Sequence, residues 1–455
     1  MGTSVEILRN HGFPAGIISA LKADGVTELL EHQVEAVLRF ELLGQEDLLV
    51  SLPTSAGKTL IGELAGVGAA LLGGRAVFSV PLKAIAREKF ETFHGRYGDY
   101  GLRIRLATGE FSEHLEDLRR GRFDIAVIIH EKFKHVLLQD PGFLGRINVA
   151  IIDELQGVSE PSRGPSLEFL LAALKTSSPR VRRVGLVGVL APHDPLVADF
   201  DGRVLTARQR PIDLRQGIVL TDPELVSTGM AEYGLELPDC HGNTGPHFLS
   251  IYRSHNSGLV ETEYLPMGEV AGGEASHLLS LARGLADRGE SVLVFLPSRR
   301  EAEQAATILA DSSPGQSDGT LDIEDETLGY CLQHGVAFHH ADLSPRQRSL
   351  VEEAFRNGSV SVLCCTSTLA MGVNLPAANV LIHPFVWNSN GTSAELAPLP
   401  ETIVRNMAGR AGRLGLGTGE ARALLVADSQ REWDLYRRLY WTTLIPPTPS
   451  PPSGW

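Results

Sequence analysis

The chain contains a short run of small residues, Pro53-Thr54-Ser55-Ala56-Gly57-Lys58-Thr59, between an apolar stretch and a stretch rich in helix formers. This order predicts a buried strand, a tight loop and the start of a helix. The N–H groups of such a loop and of the first helical turn have no intrahelical partner, so they can converge on an anion. Lys58 is placed to reach terminal phosphates, and the hydroxyl of Thr59 is placed to ligate Mg²⁺. Leu52 stands where the strict pattern GxxxxGK[ST] has glycine, so the loop follows a relaxed form of that pattern.

The length and composition are those of a globular protein with several domains. The chain has 455 residues, of which 43% are hydrophobic and 21% charged, and this length suffices for two or three cores. A net charge of −14 argues against a broad basic face that coats nucleic acid. It does not exclude an enzyme with its phosphate contacts in one cleft, because N–H groups and hydroxyls make many such contacts.

The sequence gives no sign of a membrane or secreted protein. No apolar run approaches the roughly 18 residues of a membrane span, and the N-terminus lacks the pattern of a secretory signal. The four cysteines form no CxxC pair and are interpreted as reduced thiols. We therefore expect a cytoplasmic or nucleoid-associated protein with no membrane partner.

Apolar strand-like runs alternate with helical patterns in two regions of the chain. Short, nearly continuous apolar strands between helices predict an α/β fold with parallel sheets. A segment rich in Gly, Pro, Ser, Asn and His interrupts the alternation and is expected to be a connection with an irregular or hairpin insertion. The expected organisation is an N-terminal extension (1–24), a first domain (25–220), the connector (221–274), a second domain (275–440) and a Pro/Ser-rich tail (441–455).

Two adjacent acids end a predicted strand of the first domain. Asp153 and Glu154 follow an apolar run, and a carboxylate at the C-terminal end of a parallel strand lies at the crevice where α/β sheets bind ligands. Asp153 is placed to hold Mg²⁺, and Glu154 to orient and deprotonate an attacking water. A pair of acids after a strand, taken alone, has a purely structural role about as often as a functional one. Their position about ninety-five residues after the phosphate loop favours the functional interpretation.

Two arginines, Arg410 and Arg413, stand three residues apart within Asn406-Met407-Ala408-Gly409-Arg410-Ala411-Gly412-Arg413. They would share one face if the segment were helical. Arginine stabilises charge that develops during phosphoryl transfer, whereas the alternative is a solvated helix with a glycine break. With the loop in one domain and the arginines in the other, we expect the ATP site in the cleft between the domains.

Further segments occur in a fixed order around these groups. They are Leu30-Glu31-His32-Gln33, Val80-Pro81-Leu82-Lys83-Ala84, Thr108-Gly109, Glu131-Lys132-Phe133, Arg163-Gly164-Pro165-Ser166-Leu167-Glu168, Val294-Phe295-Leu296-Pro297-Ser298-Arg299, Phe338-His339-His340-Ala341 and Thr366-Ser367-Thr368-Leu369-Ala370-Met371-Gly372-Val373-Asn374-Leu375-Pro376. With this set, residues 25–425 resemble the core of a superfamily-two DExH-type helicase. The branch that the chain resembles holds the superkiller-type RNA helicases and the archaeal fork-repair DNA helicases.

The resemblance implies a fold of two tandem RecA-like domains and a set of site residues. Gln33 corresponds to the residue that reads adenine, and Gly372 and Asn374 are expected to approach the nucleotide. Lys58, Glu154, Arg410 and Arg413 are the implied catalytic residues. The implied nucleic-acid contacts are Pro81, Lys83, Thr108, Gly109, Lys132, Ser298, Arg299 and Thr366.

The implied function is that of a nucleic-acid-dependent ATPase, a helicase or translocase that uses ATP and Mg²⁺. The implied partner is single-stranded or partly duplex nucleic acid, either DNA or RNA. We expect a monomer, with membership of a larger complex left open. The competing function is an ATP-gated nucleic-acid clamp or scaffold subunit with little unwinding activity.

Three positions depart from the family pattern. Gln156 replaces the histidine of Asp-Glu-x-His, Val187-Gly188-Val189 stands where Ser-Ala-Thr is usual, and Asn406 replaces glutamine. These positions normally form the hydrogen-bonded link between the γ-phosphate and the domain interface. We therefore hypothesise that hydrolysis survives while strand separation is weakened or differently coupled; the alternative is a substitute amide–amide link between Gln156 and Asn406.

Length is a further departure from the family pattern. Relatives in this branch continue into a winged-helix domain and a helical ratchet, whereas this sequence stops about forty residues after Arg413. The expectation is a minimal core, a truncated product or one piece of a larger assembly.

Overall fold

Contacts in the computed structural model divide the chain into two compact units, residues 1–208 and residues 209–455. The structure describes residues 2–441 apart from positions 41, 54–55, 109–111, 160–163, 178–179, 189, 191–193, 202, 208–211, 223, 228–230, 232–234, 236–246, 255, 258, 271–275, 314–324, 368, 370–374, 390–393 and 413–419. Both units are α/β structures whose main sheets consist largely of parallel strands, as the sequence predicted.

The N-terminal residues pack as part of the first unit. Strand β1 (Thr3–Ser4) pairs with β2 (Glu28–Leu29), and the helix Ala15–Ala23 lies between them in the chain. Val5 and Leu8 are fully buried in the core of this unit. The segment 1–24, which we expected to be an extension, is therefore integrated into the first unit by its apolar side chains.

Seven parallel strands form the sheet of the first unit. They are β3 (Leu48–Ser51), β4 (Ala76–Val80), β5 (Ile104–Ala107), β6 (Ile125–Ile129), β7 (Val149–Ile152), β8 (Arg182–Val187) and β9 (Val204–Thr206). Their order across the sheet is β5-β6-β4-β7-β8-β3-β9. Every residue of β3, β4 and β7 is buried, which is expected of a parallel sheet with helices on both faces.

Helices connect these strands. The α-helices that follow the first one are Glu31–Leu38, Lys58–Leu71, Lys83–Tyr97, Ser112–Arg119, His130–Gln139, Gly164–Lys175 and Pro195–Asp199, with 3₁₀ turns at Val5–His11, Gly98–Tyr100, Pro141–Arg146 and Leu155–Ser159. The helix Lys58–Leu71 lies against the sheet through small residues. A Cβ at Gly62 would come within 2.9 Å of both Ile151 and Leu186, so the helix approaches the strands closely.

The sheet of the second unit has eight strands. They are β10 (Asp213–Leu220), β11 (His247–Ser254), β12 (Val260–Pro266), β13 (Val292–Phe295), β14 (Val336–His339), β15 (Val362–Cys365), β16 (Asn379–Ile382) and β19 (Glu420–Ala427), in the order β12-β11-β10-β19-β16-β13-β15-β14. The strands from β10 to β14 in this order pair in parallel, whereas β11 and β12 are antiparallel additions at one edge. A separate hairpin is formed by β17 (Phe385–Ser389) and β18 (Ala394–Pro398).

The helices of the second unit complete its layers. They are His277–Asp287, Arg299–Asp311, Glu326–Gln333, Pro345–Arg356, Glu401–Ala408 and Gln430–Tyr436, followed by a π-helical turn at Arg437–Trp441. Trp433 and Tyr440 are buried in the core of this unit. None of the helices in the described part of the chain has the length and apolar character to cross a membrane.

The boundary between the units differs from the expected domain boundary. We expected residues up to 220 in the first domain and 221–274 as a connector. Strand β10 instead pairs with β19 of the second sheet, where Asp213 lies opposite Glu420. Strands β11 and β12 extend the same sheet, so much of the expected connector is a hairpin within the second unit. Such distant pairing leaves no local sequence pattern, which explains the difference.

Candidate functional site

Two strands of the first sheet, β3 and β7, carry the predicted phosphate and metal residues at their C-terminal ends. The phosphate loop follows β3, the acids Asp153 and Glu154 follow β7, and Gly188 follows β8, which lies between them. The C-terminal edge of a parallel sheet is where α/β proteins bind ligands. The structure therefore brings the loop and the acids together, as the sequence predicted.

The loop is shaped by Gly57 and closed by Lys58. Gly57 has a φ of 75° and is the N-cap of the helix Lys58–Leu71. This left-handed backbone favours glycine, and a Cβ here would also overlap Nε2 of Gln33. The ammonium of Lys58 donates to the carbonyl oxygens of Leu52 at 2.9 Å and of Pro53 at 3.3 Å. Lys58 therefore lies over its own loop.

The remaining predicted loop residues differ in exposure. Pro53 and Ala56 are buried, whereas Thr59, in the first turn of the helix, is exposed. Thr54 and Ser55 lie outside the described residues. An exposed hydroxyl at the helix N-terminus can reach a ligand bound over the loop.

Gln33 and His32 brace this loop from the helix Glu31–Leu38. The Gln33 oxygen accepts from the N–H of Leu30 at 2.8 Å, and its Nε2 donates to the carbonyl of Gly57 at 3.2 Å. The Nε2 of His32 lies 2.6 Å from the carbonyl oxygen of Ala56. Burial lowers the pKa of His32, which favours the neutral imidazole with Nε2–H as the donor. Gln33 thus supports the loop directly; its predicted role in reading adenine stays a prediction.

The acids sit in an enclosed, charged environment. Asp153 is 6% exposed, and its Oδ1 accepts from the N–H of Glu154 at 3.1 Å. The Nζ of Lys89, on the helix Lys83–Tyr97, lies 3.4 Å from Oδ2 of Asp153 and 4.9 Å from the ring centre of Phe78. Lys89 is therefore a partly buried cation beside the predicted metal ligand.

Glu154 has both an unusual backbone and a shifted pKa. Its φ is 53°, a left-handed conformation that is uncommon for any residue except glycine. The residue is half-buried, but its carboxyl group lies deep among protein atoms, and this burial raises its pKa. The neighbouring charge of Asp153 raises the pKa further, while the ammonium groups of Lys58 and Lys89 and a hydrogen bond from Gln156 oppose the rise. A carboxyl group with a raised pKa suits proton abstraction better than an ordinary one.

The Gln156 side chain links Glu154 to the turn after β8. Its Nε2 donates to Oε2 of Glu154, and its Oε1 accepts from the N–H of Gly188 at 3.1 Å. The hydroxyl of Ser51, the last residue of β3, donates to the carbonyl of Gly188 at 3.1 Å. The same hydroxyl accepts from the N–H of Leu190 at 3.1 Å. The departures from the family pattern at Gln156 and Gly188 therefore meet in one hydrogen-bonded group.

The donor set suits a magnesium ion that is held partly by phosphate. Asp153 and the hydroxyl of Thr59 are oxygen donors, which Mg²⁺ prefers. Within the described residues, no group of three or more His, Cys, Asp or Glu side chains could form a metal cage. Mg²⁺ at nucleotide sites is usually bound by one or two protein ligands together with substrate phosphates, so these residues fit the ion.

The predicted nucleic-acid residues of the first unit lie on the other half of the same sheet edge. Pro81 and Lys83 follow β4, Thr108 follows β5 and Lys132 follows β6, and these three strands are adjacent. Lys83 is exposed at the start of its helix, Lys132 is half-buried, and Thr108 is 7% exposed. Gly109 lies outside the described residues. The predicted nucleotide residues and the predicted strand-binding residues of this unit therefore lie on different halves of one sheet edge.

In the second unit, three predicted nucleic-acid residues line one pocket. Ser298, Arg299 and Thr366 share a pocket of about 420 Å³. The other lining residues are Pro297, Arg300, Ala341 and Trp387. Trp387 belongs to the hairpin β17–β18, is 47% exposed and donates from Nε1 to Glu301 at 3.3 Å. Nothing in the local sequence around Trp387 indicated this position, because the hairpin brings it there.

Arg410 lies in a turn rather than on a helix. The helix Glu401–Ala408 ends before it, and Ala411 forms an isolated bridge with Ala377. The idea of two arginines on one helical face therefore does not hold for Arg410. Burial raises the pKa of the Cys365 thiol at the end of β15, and the charge of Arg410 opposes that rise, so the two groups are near one another. Arg413, Gly372 and Asn374 lie outside the described residues.

Lys89 and Ser51 are site residues that sequence reasoning missed. Lys89 follows the segment Val80–Ala84 by about one and a half helical turns, so its spacing from that segment was the available signal. Ser51 is a single hydroxyl at the end of an apolar strand. Ser51 matters because it bonds to the turn after β8. That turn is far from Ser51 in the sequence, and the fold brings the two together.

Comparison with known proteins agrees with this geometry. Residues 31–188 match the DEAD/DEAH box helicase family, and residues 274–415 match the helicase conserved C-terminal domain. The chain is 32% identical over 434 residues to the ATP-dependent DNA helicase Hel308 of Pyrobaculum calidifontis, covering 94% of this chain and 56% of the relative. It is 30% identical over 443 residues to the protein of that name from Methanocella arvoryzae, covering 92% and 54%. For the Pyrococcus horikoshii protein of that name, the identity is 32% over 400 residues, covering 87% and 50%.

These matches fall on the two α/β units and include the loop, the acids and Arg410. The chain belongs to the superfamily-two helicases of the DExH type, which confirms the resemblance inferred from the motifs. Within that superfamily it is similar to the archaeal Hel308 helicases. The chain spans about half the length of the curated relatives it matches.

Proposed function

We propose that this chain is a nucleic-acid-dependent ATPase that moves along or unwinds DNA. The observation that carries the proposal is the arrangement at one sheet edge, where the phosphate loop follows β3 and the acids Asp153 and Glu154 follow β7, with only β8 between these strands. The similar proteins are named ATP-dependent DNA helicases, which supports DNA rather than RNA as the strand.

The chemistry would be ATP hydrolysis by an activated water. The loop N–H groups and Lys58 would bind the phosphates, because the first helical turn offers donors without intrahelical partners. Asp153 and Thr59 would hold Mg²⁺, which neutralises phosphate charge when it is bound. Glu154 would accept a proton from the attacking water, a task for which its raised pKa is suited.

The second unit would complete the site and hold part of the strand. Arg410 and Arg413 would stabilise the charge of the transferring phosphoryl group, and Gly372 and Asn374 would approach the nucleotide. The strand would be held mainly by its backbone, across Pro81, Lys83, Thr108, Gly109 and Lys132 in the first unit and Ser298, Arg299 and Thr366 in the second.

A second function is an ATP-gated clamp with little unwinding. The observation that favours it is the absence of a side-chain hydroxyl at Val187-Gly188-Val189, where the family pattern has Ser-Ala-Thr. In this chain the turn after β8 offers main-chain groups for the link to Gln156. A link of a different chemistry could transmit the nucleotide state to the strand less effectively.

Two assays on the full chain test the proposal. We expect ATP turnover to rise at least about 10-fold with saturating single-stranded DNA, and less with RNA of the same sequence. The variant Glu154→Gln controls for contaminating ATPases. A forked DNA substrate then separates the two functions: strand separation coupled to turnover supports the motor, and tight binding without separation supports the clamp. ATP turnover that neither DNA nor RNA stimulates would contradict both the motor and the clamp.

A further inference from the structure

A continuous chain of hydrogen bonds joins the proposed base to the strand that carries the phosphate loop. Gln156 donates to Oε2 of Glu154 and accepts from the N–H of Gly188 at 3.1 Å. The hydroxyl of Ser51 donates to the carbonyl of Gly188 at 3.1 Å and accepts from the N–H of Leu190 at 3.1 Å. Both main-chain groups of Gly188 are therefore used, one by each side chain.

The same turn is tied to the loop by the backbone. The N–H of Leu52 donates to the carbonyl of Val187 at 3.2 Å, and Val187 pairs with Ser51 in the sheet. Leu52 in turn offers its carbonyl to the ammonium of Lys58 at 2.9 Å. Ser51 thus stands one residue from the loop and one hydrogen bond from the turn that holds Gln156. A displacement at one end of this series of hydrogen bonds would therefore shift the groups at the other end.

We propose that Gln156 and Ser51 are positioning residues that together fix the carboxylate of Glu154 for hydrolysis. This inference rests on the proposed ATPase function. Gln156 aims the carboxylate, and Ser51 fixes the turn from which Gln156 is held. Neither residue touches the reacting atoms; each acts through Glu154. The hydroxyl of Ser51, on the neighbouring strand, serves this link in place of the side-chain hydroxyls of Ser-Ala-Thr, which Val187 and Val189 lack.

The residue types suit this role. A primary amide donates from nitrogen and accepts on oxygen at the same time, so Gln156 can serve a carboxylate and an N–H group together. Glu154 has a left-handed backbone, with φ at 53°, and this conformation costs free energy. It persists only where surrounding contacts stabilise it, and the hydrogen bond from Gln156 is one such contact. Ser51 is 4% exposed, so its two hydrogen bonds are shielded from water and their loss is not made good by solvent.

Matched variants separate positioning from folding. Gln156→Leu keeps the approximate volume and removes both polar groups, and Ser51→Ala removes the hydroxyl. Gln139→Ala is the glutamine control, since that side chain is exposed and accepts from Arg119 at 3.1 Å, far from Glu154 in the chain. Ser177→Ala is the serine control, because its hydroxyl also donates to one carbonyl (Leu174, 2.8 Å) and accepts from one N–H (Val181, 3.0 Å).

The readout is the split between kcat and KM for ATP, with saturating single-stranded DNA and the full chain. We expect Gln156→Leu to lower kcat about 10- to 100-fold, within the range that a positioned base contributes, with KM changed less than about 3-fold. Ser51→Ala should lower kcat about 3- to 10-fold, and the double variant should fall short of the product of the single effects, because both act on one group. The two control variants should retain the wild-type kcat.

A rescue variant guards against a merely structural explanation. Gln156→His places a donor and an acceptor on one ring, so it should recover most of the lost kcat where Gln156→Leu does not. Wild-type kcat in Gln156→Leu, or an equal loss in Gln156→Leu and Gln156→His, would overturn the proposal. If the melting curve shows that Gln156→Leu does not fold, the test is the comparison of kcat between Ser51→Ala and Ser177→Ala. Equal kcat values in these two variants would overturn the proposal. An inactive wild type would instead remove the ATPase function, and this inference with it.

Discussion

Three features meet at Glu154: an unusual backbone, a raised pKa and a hydrogen-bonded carboxyl group. Its backbone is left-handed, with φ at 53°, and burial raises the pKa of its carboxyl. Gln156 donates a hydrogen bond to that carboxyl, and the charges of Lys58 and Lys89 oppose the rise in its pKa. A non-glycine residue in this backbone region stores about 1–3 kcal/mol of strain, and such strain is concentrated at functional sites. The strained backbone therefore supports the role that we propose for this carboxylate.

The strain at Glu154 can be measured by comparing two truncations. Glu154→Gly and Glu154→Ala remove the same carboxylate and the same bond from Gln156, but only glycine relaxes the left-handed backbone. We expect the glycine variant to unfold with a free energy about 1 kcal/mol higher than the alanine variant, since relief of strain exceeds the entropy gained by the unfolded glycine chain. Denaturant unfolding of both variants is the measurement, and a glycine variant less stable than the alanine variant would contradict the strained backbone.

At the scale of elements, the helix Lys58–Leu71 determines where the phosphate loop stands. Its Gly62 lies against β7 and β8, close enough that a Cβ would meet Ile151 and Leu186 at 2.9 Å. Glu63 on the same helix bonds to Arg96 and Tyr97 of the helix Lys83–Tyr97. The helix is therefore held by close packing on one side and by a buried carboxylate on the other.

The same substitution in two helices tests this packing. Gly62→Ala should lower the free energy of unfolding by about 1–3 kcal/mol, because the added methyl group forces packed side chains apart. Gly95→Ala, in the helix Lys83–Tyr97, is the matched control: a Cβ there meets nothing within 4 Å. The control should gain about 0.5–1 kcal/mol from helix propensity. Chemical denaturation of the two variants is the measurement, and equal stabilities would contradict the close contact at Gly62.

Prediction from sequence succeeded where the signal was local. The strand, loop and helix around Lys58 and the acids after β7 are each encoded by a short segment, and the structure has them as expected. Strand β19 and the hairpin β17–β18 were not predicted. The residues of β19 include several alanines, and their burial depends on β10 and β16, which lie far away in the chain. The turn at Arg410 was missed for a similar reason, since the bridge between Ala377 and Ala411 follows from the fold rather than from the Gly-Arg pattern.

The proposed reaction needs residues from both units of the molecule. The first unit has the phosphate loop and the acids, and the second has Arg410 near the end of β15. The expected boundary at residue 220 failed because β10 belongs to the second sheet. The division at residues 208 and 209 shows that the first unit contains every described residue proposed for the phosphates, the metal and the base. In the proposed reaction, the second unit would supply the arginines Arg410 and Arg413.

The contribution of the second unit can be tested at Arg410. We expect Arg410→Ala to lower the DNA-stimulated kcat by about 10³-fold or more, because an arginine that stabilises phosphoryl-transfer charge has an effect of this size. Single-stranded DNA binding should change little. Arg405→Ala is the control, since Arg405 is exposed on the preceding helix and pairs with Glu401 at 2.7 Å. An Arg410→Ala variant with the turnover of Arg405→Ala would show that the second unit does not take part in hydrolysis.

The proposed function depends most on Glu154, which would activate water for ATP hydrolysis in a nucleic-acid-dependent enzyme. The most direct measurement is steady-state ATP turnover with saturating single-stranded DNA, for the wild type and for Glu154→Gln, with ATP binding measured in parallel. We expect Glu154→Gln to lose about 10²- to 10⁴-fold in turnover while it still binds ATP. Turnover by Glu154→Gln at the wild-type rate, with intact ATP binding, would contradict it.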